Sequence, residues 1–240
     1  MRIATCVCVA ALAVASTFGT AFASAFHLTS GNGTNNGDGV YSFSSDGIGL
    51  TVSAGLFNDV PNAVISPGAN NAAVTQNHLG LGVTSTGDTS GNLDGLGQND
   101  ALIFTFDRLV KIEGIWFSGF DLDDDVDLFF ESGGSLVRHS TDYLISLGVD
   151  LDGFIDISVL LGLFPSIDPN LLIGTMFGFG ADDDGVLGLL QDSFRIKGLK
   201  VTDLSLPPSE VPVPAALPLF LAGLAGFRFA MRRKPELAAA

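Results

Sequence analysis

The chain has 240 residues, room for one domain of ordinary size together with terminal segments. Thirty glycines punctuate a composition that is 47% hydrophobic, which suits many short strands and turns and excludes a disordered linker. Between residues 26 and 214 there are 25 acidic residues against six basic ones, a net charge of −19; such a surface repels nucleic acid and anionic lipid headgroups and favours cations or a cationic partner.

At the N-terminus, Arg2 and the free amine precede an apolar core at residues 6–15, and the small-x-small triplets Ala21-Phe22-Ala23 and Ala23-Ser24-Ala25 follow. That order predicts a signal peptide over residues 1–25, with a mature start at Ser24 or Phe26. Both cysteines, Cys6 and Cys8, fall within this leader, so the mature chain carries none and a disulfide framework is excluded.

Strand signals dominate residues 26–207. Residues 40–44 and 48–53 are short β-prone runs among Gly, Asn and Asp, and residues 101–107 place Leu102, Phe104 and Phe106 on one face. Residues 113–122 are apolar on both parities, Ile115 and Phe117 on one and Trp116 and Phe120 on the other, as a central strand covered on both sides requires. In residues 194–201 the apolar parity changes across Gly198, which predicts a bulge there. Residues 150–164 read either as strand, through Ile155, Ile157 and Val159, or as a helical turn leading to Pro165. No long amphipathic helical period occurs. The expected fold is therefore all-β, an antiparallel β-sandwich, jelly-roll-like if Greek-key connections close it.

Acid clusters are the main chemical feature. Asp121, Asp123, Asp125 and Asp127 form D-x-D-x-D-x-D, similar to the opening of an EF-hand loop, but Val126 replaces the glycine at position six and Ser132 the glutamate at position twelve, so an EF-hand is excluded. Asp182 and Asp184, with Asp183 and Gly185, make a second acidic turn, and Asp150 and Asp152 a third. The competing reading is a solvated turn, because Asp and Gly suit turns on local grounds alone. If a metal is bound, the hard oxygens of Asp121, Asp123, Asp125, Asp127, Asp182 and Asp184 favour calcium.

Catalytic patterns are weaker. His27, His78 and His139 are isolated and have no zinc or nucleophile spacing, while Glu113, Glu131 and Glu210 are the only glutamates of the mature middle. A sugar-binding platform meets the difficulty that Trp116, the single tryptophan, sits in the strand expected to be covered on both faces.

The C-terminal segment, residues 208–240, has three parts in order: Val211, Pro212, Val213, Pro214 and Ala215; an apolar run to Phe227; and a basic tail of Arg228, Arg232, Arg233 and Lys234. The apolar span is short for a transmembrane helix, and the basic end would stay cytoplasmic. This arrangement resembles the VPLPA variety of PEP-CTERM sorting signal, with Val213 in place of the usual leucine. The resemblance implies that an exosortase, an integral-membrane cysteine protease, removes the tail at the inner membrane, and that the protein reaches the cell surface or extracellular polymer matrix of a Gram-negative bacterium. Residues 95–106 and 117–129 also resemble stretches of uncharacterised passenger domains of that sorting class. The expectation is a non-catalytic exported protein with extracellular polysaccharide as a candidate partner; the alternative is a secreted carbohydrate-binding or carbohydrate-active module.

Overall fold

The computed structural model describes residues 23–95, 98–120, 124, 126–140, 153–156, 168–181 and 192–205, all within one unit, Ala21–Ser205. Most of the expected signal peptide, the whole sorting segment, and Asp121, Asp123, Asp125, Asp150, Asp152, Asp182 and Asp184 lie outside the described residues. Among the described residues no helix is long and apolar enough to cross a membrane.

The first strands are β1 (Ala23–His27), β2 (Thr34–Asn35), β3 (Tyr41–Ser45), β4 (Ile48–Phe57), β5 (Ser66–Pro67), β6 (Ala73–Asn77) and β7 (Gly80–Thr84). After them come β8 (Leu93–Asp94), β9 (Asn99–Ser118), β10 (Asp127–Ser132), β11 (Ser135–Ser140), β12 (Phe154–Asp156), β13 (Ile173–Ala181) and β14 (Ser193–Asp203). Every ladder among them is antiparallel. The protein is all-β in this sense.

Local sequence explains the hairpins. Asp46 and Gly47 both take positive φ between the paired Ser45 and Ile48, the two-residue turn whose twist matches its strands. Gly133 and Gly134 do the same between Ser132 and Ser135. In β4, Ile48, Leu50, Val52 and Ala54 are buried while the residues between them face outward, the period-two pattern of a half-buried strand.

The organising element is β9. The sequence suggests two strands, at 101–107 and 113–122, but the structure joins them into one of 20 residues, since residues 101–113 contain no glycine or proline to end it. One flank of β9 pairs with β4 over residues 99–106 and with β14 from 110 onward. The opposite flank pairs with β13 and then with β12. β9 is thus shared by two groups of strands, β11-β10-β13-β9-β4-β3 and β12-β9-β14-β7-β6, with β1 also on β14.

Both groups line one core. Phe26 of β1 meets Phe106 of β9 edge-on at 5.8 Å, Phe104 meets Phe179 at 5.4 Å, and Phe117 meets Phe194 at 5.5 Å. Such T-shaped pairs add to simple area burial. Ala101 and Ile103, on the opposite face of β9, join Phe57, Ile65, Phe129 and Leu136 in a second cluster.

Two readings of individual residues can be compared with the fold. The β14–β9 register shifts between Ile196 and Gly198, which is the bulge expected there, and Lys197 is the extra residue. Trp116 departs from expectation. Its strand is central, flanked by β12 and β14, yet the indole is only half-buried. Of residues 150–164, Phe154–Asp156 forms strand β12.

Candidate metal centre

Residues 85–95, after β7, form a glycine-rich connection that lies against the sheet. Gly82 of β7 and Gly91 of the connection touch so closely that a Cβ on Gly82 would sit 2.1 Å from the Gly91 carbonyl oxygen. Polar contacts hold this approach: the Val83 N–H donates to the Asn92 carbonyl at 3.0 Å, and the Thr75 hydroxyl donates to that of Gly91 at 2.9 Å. The Arg195 Nε donates to the Asn92 side chain at 2.9 Å, and the Asn92 amide donates to the Ser193 hydroxyl at 2.8 Å. Leu93 is fully buried, and β8 pairs with the start of β14.

This anchoring brings together three aspartates spaced six residues apart. Asp88 follows the tight turn at Gly87, Asp94 ends β8, and Asp100 is the second residue of β9. One carboxylate oxygen from each lies within 4.8 Å of the others, and all three residues are buried. Oxygens around a calcium ion at about 2.4 Å stand at most about 4.8 Å apart, so the trio is compact enough to share one cation.

The partners of the three differ. Asp88 accepts from the Ser90 N–H at 2.8 Å through Oδ1, while its Oδ2 meets no donor. Asp94 accepts from the Ser90 hydroxyl. Asp100 is 0% exposed, and neither of its carboxylate oxygens has a hydrogen-bond partner. Burial, reinforced by the charges of Asp94 and Asp88 and by the Asp88 side chain facing it, pushes the Asp100 carboxyl up to about 8; the Asp94 backbone N–H, close but outside hydrogen-bonding geometry, offsets only part of this rise. The nearest guanidinium of the loop, Arg195, is committed to Asn92 and the Gly80 carbonyl. A buried carboxyl in this setting either keeps its proton or meets a metal.

The metal candidates read from the sequence are other aspartates. Of its candidates only Asp127 is described; it is fully buried and accepts from the Arg138 Nε at 2.6 Å, while the same guanidinium reaches Asp59 at 2.6 Å. The structure therefore places Asp127 in an ion pair, and Asp124, beside it in sequence, accepts from the Ser193 N–H at 2.7 Å. The trio itself was missed because its members are dispersed. The D-x5-D-x5-D spacing in a Gly-rich stretch was its one visible trace, and that period belongs to neither helix nor strand. Comparison with protein-family models, curated proteins and solved structures finds no match for this chain.

Proposed function

We propose that this chain is a non-catalytic exported protein whose β domain binds calcium at Asp88, Asp94 and Asp100. The observation that carries the metal reading is the buried Asp100 carboxyl, without a donor on either oxygen and facing two further acids. Three carboxylates supply the hard oxygens that calcium takes, and backbone carbonyls or water complete its shell. Bound there, the ion ties the 85–95 connection to the start of β9, which belongs to both groups of strands. Those groups close as the two faces of an antiparallel β-sandwich, jelly-roll-like, a reading supported by the larger core cluster to which both contribute. His27, His78 and His139 are all exposed and lie on separate elements, on β1, in the β6–β7 turn and on β11.

Equilibrium dialysis of the protein against calcium tests the site. One ion binds per chain, and Asp100→Asn abolishes it; undiminished binding by that variant would eliminate the trio as the site.

Export and sorting follow from the two ends: a signal peptide, then the Val211–Ala215 motif, the short apolar span and the basic tail through which an exosortase would deliver the chain to the surface or matrix. Of the two mature starts, Ser24 fits the fold better, because Ser24 is buried and paired with Val201 in β1, and a start at Phe26 would remove three of that strand's five residues. Mass spectrometry of the extracellular protein from its native host should show a Ser24 start and no Arg232-Arg233-Lys234 end. Recovery of the intact tail there would refute the sorting reading.

A further inference from the structure

The outer face of the β1-β14-β9-β12 group carries a row of aromatic residues in register. His27 lies opposite Gly198, Gly198 opposite Trp116, and Trp116 opposite Phe154, so the row crosses four strands and spans roughly 14 Å at ~4.8 Å per strand. Ring centroids are 6.5 Å apart for His27 and Trp116, tilted by 37°, and 4.4 Å apart for Trp116 and Phe154, tilted by 42°, so the last two rings pack against each other. The glycines keep the rings low on the sheet. A Cβ on Gly198 would sit 3.1 Å from the Trp116 ring, and one on Gly114 would sit 2.2 Å from the Phe154 ring. Phe154 nevertheless remains 41% exposed. A hollow of about 320 Å³ lies alongside, lined by His27, Trp116, Phe117, Gly153 and Lys197.

Among the described residues, unpaired positive charge collects on this face. Of the six basic residues between 26 and 214, Arg108, Lys111 and Arg138 are paired with acids, and Arg195 is bonded to Asn92. The other two, Lys197 and Lys200, have no acidic partner among the described residues, and both border the aromatic row. Lys200 Nζ sits 5.9 Å from the centre of the Phe154 ring, and Lys197 lines the hollow. Among the described residues, Glu113 is engaged by Lys111 and the Thr202 hydroxyl, and Asp156 of β12 lies in register with Lys200 across Gly114.

We infer that this face binds an acidic polysaccharide, with a pyranose ring laid against the Trp116–Phe154 pair and a sugar carboxylate held between Lys197 and Lys200. Flat aromatic faces match the C–H face of a sugar ring, and in a domain of net charge −19 the only free ammonium groups among the described residues stand where an anionic ligand would need them. Trp116 is the single tryptophan of the chain, so its fluorescence reports this face alone.

The test titrates the full chain at fixed calcium with hyaluronate oligosaccharides, with dextran oligosaccharides and with polyglutamate. Hyaluronate shifts Trp116 emission saturably, and the other two bind at least about fivefold more weakly. Lys197→Gln with Lys200→Gln weakens hyaluronate binding roughly tenfold, and Phe154→Ala does so to a similar degree, with melting temperatures within a few degrees of wild type because these side chains are exposed or half-exposed. Absence of a saturable shift, equal binding of polyglutamate, or undiminished binding by the double lysine variant would each overturn the proposal.

Discussion

Calcium at about 100 times its dissociation constant should raise the melting temperature of the protein by roughly 5–10 °C over its value in chelator. A ligand that binds only the folded state adds about 2.7 kcal/mol at that saturation, and in a domain of this size each kcal/mol moves the midpoint by about 2–4 °C. Magnesium, which demands shorter bonds and tighter geometry, should produce a much smaller shift. Asp100→Asn makes the expectation sharper because its two effects have opposite signs. In chelator the variant should melt above wild type, since it removes an uncompensated buried acid next to Asp88 and Asp94; in calcium it should melt below, having lost the site. A cluster with no metal function would reproduce the first effect without the second. Equal shifts with calcium and magnesium would remove calcium as the specific ion.

The second large effect is on the pH dependence of the metal-free protein. Below about pH 4 Asp100 carries its proton in both folded and unfolded chains, and its burial adds no pH-dependent term. From there to about pH 8 the unfolded chain releases the proton while the fold retains it, so stability falls by up to ~1.4 kcal/mol for each pH step. Above about pH 8 both states are ionised and the loss levels off, on the order of 5 kcal/mol in all. Other shifted carboxyls act outside this window. The Arg108 guanidinium beside Asp107 holds its carboxyl below the usual range, and Asp203, although burial pushes it up, is held down by Ser205 and Arg108; their contributions are lost only as pH drops beneath the ordinary carboxylate range. Urea melts in chelator at pH 5, 6.5 and 8 should therefore give steadily lower midpoints. Saturating calcium should flatten the trend, because the ion replaces the proton that the fold otherwise retains. Midpoints that rise with pH in chelator would show that Asp100 is compensated in the metal-free fold.

Several features were legible in the sequence because they are local. Alternation in residues 48–53 and 101–107 marks the faces of β4 and β9, and the change of parity at Gly198 marks the bulge of β14. Each depends on side-chain direction within a few residues of backbone, and a single strand already sets that direction. The acidity of the domain was equally plain.

Which acids are buried together was decided only by the tertiary structure. Asp121, Asp123, Asp125 and Asp127 are crowded in sequence, yet Asp127 is bound to Arg138, whereas Asp88, Asp94 and Asp100 meet because Gly82 and Gly91 let one connection lie against the sheet. Trp116 follows the same rule: its pattern indicates a central strand, but whether the outer face of that strand is covered depends on elements distant in sequence. Desolvation and the repulsion between like charges act through space, so the carboxyl that most needs a proton or a metal is recognisable only once the chain has folded around it.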